Sequence, residues 1–116
     1  MILDLTRARQ VRAGTKTGRG AGKTTAMMLD VLDAVKQGAP QICIVSGSIN
    51  VSRWNTNYFC AVAKAAGFAE VKKTYTTQVK IDHSTISFLP PDHPHVTTYS
   101  PGDIFVDNSC FRVSTL

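Results

Sequence analysis

Apolar residues between positions 23 and 37 recur at spacings of three and four, which is the period of one face of an α-helix. They are Ala26, Met27, Val31, Leu32 and Val35. Gly38, followed by Pro40, is a typical helix stop. The pattern therefore predicts a helix over residues 23–37.

A short apolar run and a second helical pattern come next. Residues 42–45 read Ile-Cys-Ile-Val, and a continuous run of this kind is typical of a buried parallel strand. Beyond the turn at residues 46–48, either Asn50 or Ser52 would cap a helix that runs to about Ala66 and ends at Gly67. One side of that helix carries Trp54, Tyr58, Val62 and Ala65 or Ala66.

The remaining segments have the patterns of strands. Residues 9–15 alternate weakly, with only Val11 and Ala13 apolar, and predict a polar strand. Residues 70–88 place β-branched and aromatic residues among Thr, Lys and Ser, with an interruption at 82–84, which predicts a β-hairpin or meander. Residues 103–107 form an apolar strand that ends on Asp107.

This order of elements predicts one α/β domain over residues 1–116. We expect three layers around a short parallel sheet, with strands near Val11, at residues 42–45 and at residues 104–107. The strand ending on Asp107 should lie beside the strand that leads into the glycine-rich segment at residues 17–22. A hairpin over residues 72–88 should form a sheet edge.

The excess positive charge is confined to the first part of the chain. The net charge is +5 over 116 residues, and residues 1–23 alone carry +5. The 43% of hydrophobic residues suffices for a core. No apolar run reaches the ~18 residues of a spanning helix, and no signal peptide is visible. Cys43, Cys60 and Cys110 are odd in number and widely spaced, so we expect a cytoplasmic protein without a disulfide framework.

Residues 17–24, Thr-Gly-Arg-Gly-Ala-Gly-Lys-Thr, carry the strongest chemical signal. They match the phosphate-loop pattern G-x-x-x-x-G-K-[ST] at the last glycine, the lysine and the threonine, while the first glycine is displaced by one place. Small residues let successive backbone N–H groups face one anion, and the following helix adds the positive end of its dipole. The predicted phosphate-binding residues are Gly18, Gly20, Ala21, Gly22, Lys23, Thr24 and Thr25.

A phosphate loop needs a second group that holds Mg²⁺, which is normally an aspartate at the end of an apolar strand. Asp107 occupies such a position. With the hydroxyl of Thr24, it is the predicted magnesium site. Lys23 would reach the β- and γ-phosphates of the nucleotide.

The glycine-rich loop, the strand and turn at 42–46, the hairpin ending at 84–88 and the strand at 104–107 come in the order seen in phage terminase large subunits and helicase-like ATPases. The sequence resembles the N-terminal half of such an ATPase core, with a P-loop, RecA-like fold truncated before the coupling motif. The resemblance implies ATP and Mg²⁺ as ligands, with Arg19 on the γ-phosphate. Asn108 stands where the family has a glutamate, and an amide orients a water but cannot take its proton.

Two functions follow from these residues. The first is a Mg²⁺-dependent ATPase that cleaves the β–γ bond through Lys23, Arg19, Asp107 and Asn108, in DNA or RNA handling if it acts as terminases and helicases do. The second is a catalytically weak or inactive truncated P-loop protein that binds nucleotide or a partner ATPase and regulates it. Self-association through an open sheet edge is a further route to a partner.

The basic residues before the glycine-rich segment leave a third alternative. Arg7 and Arg9 would share one face of a strand, and with Arg12 they could contact nucleic-acid phosphates or form a solvated face near a bound triphosphate. A nucleic-acid-binding protein whose loop contacts backbone phosphates therefore stays open. Contact of the turn at residues 46–48 with nucleic acid rests on fold analogy alone.

Two groups of side chains are given a structural role. Trp54, Tyr58 and Phe59 lie at helical spacing, where core packing is favoured over a platform for nucleic-acid bases. His93 and His95 flank a proline in a predicted surface loop, and no metal is expected there.

Overall fold

The computed structural model describes residues 5–12 and 23–107, except for the side chains of Arg7, Val11 and Arg12. The helices are α1 (Thr6–Arg12), α2 (Lys23–Lys36) and α3 (Ile49–Ala65). The strands are β1 (Gln41–Val45), β2 (Val71–Tyr75), β3 (Gln78–Ile81), β4 (Ser84–Leu89) and β5 (Ile104–Val106). Two 3-10 turns, Pro94–Thr98 and Pro101–Asp103, lie between β4 and β5.

The five strands form one mixed sheet in the order β2-β3-β4-β1-β5. β1 pairs in parallel with β4 on one side and with β5 on the other, so the carboxyl ends of these three strands meet at the same edge. β2, β3 and β4 form the antiparallel meander, in which β2 is the edge strand and β3 and β4 lie inside the sheet. The predicted α/β fold is confirmed, and its sheet is mixed: β1, β4 and β5 are parallel and the meander is antiparallel.

The core lies between the helices and one face of the sheet. Ile42 and Ile44 of β1 are the cross-strand partners of Ile86 and Phe88 of β4, and all four are fully buried. The buried faces of α2 and α3 join this cluster through Met28, Val31, Leu32, Phe59 and Val62. The packing fixes both helices against the central strands. The finer prediction of a three-layer RecA-like fold stays a prediction.

The predicted strand at residues 9–15 is wrong over the part that the structure describes, because Thr6–Arg12 forms helix α1. Leu5 and Ala8 are both buried and join the core. Their spacing of three is the helical signal that the weak alternation of residues 9–15 obscured. No strand therefore leads into the glycine-rich segment from residues 6–12, and β5 lies beside β1 instead.

Helix α1 also changes the arrangement predicted for the arginines before the glycine-rich segment. Arg7 and Arg9 are two residues apart in α1, and positions two apart do not share a helix face. The predicted common face of Arg7 and Arg9 is therefore wrong.

The start of α3 also differs from its prediction. Ser48, and neither Asn50 nor Ser52, is the N-cap: its backbone is extended and its Oγ accepts a hydrogen bond from the Val51 N–H at 3.2 Å. Helix α2 ends as predicted, with Gly38 shortly after it at φ 90°, a conformation that suits glycine. None of the helices within the described residues has the length and apolar character needed to cross a membrane.

Candidate functional site

Two buried polar residues stand directly after parallel strands at the carboxyl edge of the sheet. Ser46 follows β1 and Asp107 follows β5, and their exposed fractions are 0% and 2%. The Asp107 N–H donates to the Val45 carbonyl at 2.7 Å, which extends the pairing of the two strands by one step. The crevice at the carboxyl ends of strands is the usual place for ligands in open α/β sheets.

Helix α2 brings Thr24 onto Asp107. The Thr24 hydroxyl donates to Oδ1 of Asp107 at 2.8 Å, although the two residues are 83 positions apart in the chain. Thr24 lies in the first turn of α2, where unpaired backbone N–H groups and the helix dipole favour a negative charge. The two residues predicted as magnesium ligands are therefore in direct contact.

Asn55 of α3 holds the other oxygen of the same carboxylate. Its Nδ2 donates to Oδ2 of Asp107 at 3.2 Å and to the hydroxyl of Ser46 at 3.0 Å, and the residue is 1% exposed. A buried charge is costly unless it is hydrogen-bonded. The two donors, Thr24 and Asn55, thus stabilise the Asp107 carboxylate and fix its orientation.

Sequence reasoning missed Asn55, although a signal was present. Asn55 lies four residues before Phe59 and seven before Val62, so all three fall on the buried stripe of α3. A polar residue on a buried stripe must find a hydrogen-bond partner. Ser46 is fully buried and accepts from Asn55, so Gly47 and Ser48 are the accessible residues of the turn, and its contact with nucleic acid stays a prediction.

The next residue of α2 connects to a pair of aromatic rings. The hydroxyls of Thr25 and Tyr58 are 2.7 Å apart, and either can donate. Tyr58 stacks on Trp54 with ring centroids 5.0 Å apart and an interplanar angle of 19°. Phe59 is buried as predicted, but Trp54 is 61% exposed, so the expectation of core packing is wrong for the tryptophan.

The remaining predicted site residues divide into two groups. Lys23 is the first residue of α2, beside Thr24, and its side chain is exposed. The others lie outside the residues that the structure describes: Gly18, Arg19, Gly20, Ala21, Gly22 and Asn108.

The side chains that meet at this edge offer oxygen ligands. Within residues 5–12 and 23–107 there is no cluster of three or more His, Cys, Asp or Glu side chains. One carboxylate and one hydroxyl, from Asp107 and Thr24, suit a hard cation that keeps several waters and completes its shell with phosphate oxygens. His93 is engaged locally, since its Nδ1 accepts a hydrogen bond from the His95 N–H at 3.1 Å.

The two described cysteines lack the character of nucleophiles. Burial raises the pKa of the Cys43 thiol to about 11. Burial also raises the pKa of Cys60, although Lys64 and Lys73 act in the opposite direction. Both thiols are therefore protonated near neutral pH.

Comparison of the chain with protein-family models, with curated proteins and with solved structures finds no match. The contacts around Asp107 therefore carry the functional conclusion.

Proposed function

We propose that the protein binds ATP with Mg²⁺ at the N-terminal end of α2. The observation that carries the proposal is the hydrogen bond between Thr24 and Asp107. A Gly-Lys-Thr sequence alone is common, and so is an aspartate at the end of a strand. Their direct contact across the fold is what a phosphate-loop magnesium site requires.

The hydrogen bond leaves the Thr24 hydroxyl suited to a cation. Its proton points to Asp107, so the lone pairs of its oxygen are available for a metal ion. Asp107 would hold Mg²⁺ directly or through its water shell. The bound ion would neutralise charge on the β- and γ-phosphates.

The phosphates themselves would lie against the first turn of α2. Unpaired N–H groups at a helix N-terminus and the dipole favour an anion. Lys23 supplies a full positive charge at the first helical position, and its exposed side chain is free to reach a ligand. Gly18, Gly20, Ala21 and Gly22 would complete the cradle with their backbone N–H groups.

The proposal extends to hydrolysis of the β–γ bond, with Arg19 on the γ-phosphate and Asn108 orienting the water. Because an amide cannot accept the proton of that water, turnover is expected to be slow. The same feature favours the second function, a weak or inactive P-loop protein that binds nucleotide or a partner ATPase and regulates it.

DNA or RNA handling is proposed on the resemblance to terminases and helicases and on the charge of residues 1–23. Helix α1 removes the argument that Arg7 and Arg9 form one face. Self-association is proposed through β5, because the opposite edge strand carries Lys72, Lys73 and a register shift, which discourage strand pairing.

Calorimetric titration of ATP with Mg²⁺ into the wild type and Lys23→Ala tests the binding. Lys36→Ala is the matched control, since it removes the same charge from the other end of α2. We expect loss of binding in Lys23→Ala and retention in Lys36→Ala. Equal affinity in all three proteins would contradict the proposal.

A phosphate-release assay with and without DNA separates the two functions. Turnover that disappears in Arg19→Ala and Asp107→Asn supports the ATPase. Binding without turnover in either condition supports the regulatory protein.

A further inference from the structure

An aromatic pair beside the proposed phosphate site consists of Tyr58, which is half-buried and packs against the core, and Trp54, which is exposed. Trp54 is 61% exposed, whereas Phe59 on the same helix is fully buried. An exposed tryptophan leaves a large apolar surface in water, and a ligand that covers it gains free energy from the burial. The position of the pair indicates what that ligand is.

The pair is tied to the proposed phosphate site by one direct contact, and a neighbouring residue of α3 reaches the same site. Tyr58 is hydrogen-bonded to Thr25, the residue after Thr24. Asn55, the neighbour of Trp54 in α3, is hydrogen-bonded to Asp107. One turn of α3 therefore carries both Asn55, which contacts Asp107, and Trp54, whose ring stacks on the Tyr58 that contacts Thr25.

We propose that Trp54, supported from behind by Tyr58, is the surface on which the base of the bound nucleotide stacks. The inference rests on the proposed function, because it assigns the base of the same ligand whose phosphates lie at α2. Trp54 and Tyr58 are nearly parallel, so Tyr58 holds the indole in one plane. A pre-oriented ring loses little conformational freedom when a base covers it.

This assignment specifies the class of ligand. Stacking uses the face of a base, and every base has one, so the Trp54 contact distinguishes a nucleotide from a bare polyphosphate and does not select between ATP and GTP. It also explains the exposure of Trp54, since the base would cover the ring only in the bound state.

Trp54 is the single tryptophan of the chain, which gives the inference a direct signal. We expect Mg²⁺-ATP and Mg²⁺-GTP to quench the fluorescence of the wild type. Mg²⁺ with inorganic tripolyphosphate should bind the same site with little quenching, because it has no base.

The affinity of variants provides the decisive comparison. Trp54→Leu should weaken ATP and GTP binding by about 5- to 100-fold, the range typical of losing one base–aromatic stack. Trp54→Phe should retain most of the affinity, and tripolyphosphate should bind all three proteins equally. Tyr75→Leu is the matched control, because Tyr75 is 70% exposed but lies on β2, at the sheet edge opposite β5.

The outcomes separate this inference from the proposed function. If Trp54→Leu binds ATP as the wild type does, the inference is overturned and the phosphate site stands. If an oligonucleotide quenches Trp54 and ATP neither quenches nor competes, the pair serves nucleic acid and the inference is equally overturned. If neither ATP nor tripolyphosphate binds the wild type, the proposed function fails, and the inference fails with it.

Discussion

The hydroxyl of Thr24 donates a 2.8 Å hydrogen bond to Oδ1 of Asp107 and thereby joins the first turn of α2 to the end of β5. The contact holds the start of α2 against the carboxyl edge of the sheet. In the proposed function the same two side chains hold Mg²⁺. Substitutions here should therefore change both stability and ligand binding.

Thr24→Val removes the hydroxyl and keeps the shape of the side chain. We expect the free energy of unfolding to fall by about 1–3 kcal/mol, because the Asp107 carboxylate loses a donor. Urea denaturation measures this loss. Thr24→Ser keeps the hydroxyl and is the control, with stability and Mg²⁺-dependent ATP binding close to the wild type. A Thr24→Val protein that binds Mg²⁺-ATP normally would show that the hydroxyl has only a structural role.

Asn55→Asp would place a second carboxylate against Asp107 in a buried setting. Two carboxylates in contact cannot both ionise cheaply, so charge repulsion disfavours the doubly ionised pair in the folded state. The free energy of unfolding of the variant should therefore be lower than that of the wild type near neutral pH. This difference should shrink as the pH falls, because one carboxyl becomes protonated. Denaturant unfolding of both proteins across the acidic range measures the difference. A difference that does not change with pH would contradict the contact.

Helix α2 and strand β1 could be predicted from the sequence, whereas helix α1 could not. Apolar spacing in α2 and the short apolar run in β1 are local signals, and both predictions are confirmed. Helix α1 was missed because its apolar signal is short: among the described side chains, Ala8 and the preceding Leu5 are buried, whereas Arg9 and Gln10 are polar and exposed. A short amphipathic pattern of that kind is set by tertiary packing more than by local preference.

The candidate site was predicted in part. The motif placed Thr24 and Asp107 in one site, and the structure brings their side chains together. Asn55 was not assigned and Trp54 was expected in the core, because their positions depend on which face of α3 meets the sheet edge. That orientation follows from the packing of Phe59 against Phe88, a contact between residues distant in the chain.

Two serines of α3 offer a matched comparison. The Oγ of Ser48 accepts from the Val51 N–H, whereas the buried Oγ of Ser52 has no hydrogen-bond partner among the described residues. We expect Ser48→Ala to lower the free energy of unfolding by about 1 kcal/mol, because a helix cap is lost. Ser52→Ala should leave it unchanged or raise it, since an unsatisfied polar group is removed. Chemical denaturation of the two variants decides this, and the reverse order would contradict the assigned cap.

The buried thiol of Cys43 predicts a change of stability at alkaline pH. Burial raises its pKa from 9.0 to about 11, so the unfolded chain loses this proton at a lower pH than the folded chain does. The contribution of this thiol to the free energy of unfolding is constant below about pH 9. It is lost as the pH rises towards 11, and the loss is at most about 1.4 kcal/mol per pH unit. Urea denaturation of the wild type and Cys43→Ala measures it, because other alkaline titrations cancel in the difference. Parallel stability curves for the two proteins would contradict the prediction.

The central claim, a magnesium-dependent nucleotide site at Thr24 and Asp107, is tested most directly by calorimetric titration of ATP into the wild type and Asp107→Asn, each with and without Mg²⁺. Asparagine keeps the shape of the side chain and removes its charge. We predict that Mg²⁺ strengthens ATP binding to the wild type by at least ~10-fold and has much less effect on Asp107→Asn, because the ion loses its carboxylate. Equal dependence on Mg²⁺ in the two proteins, or wild-type binding that does not respond to Mg²⁺, would contradict the claim.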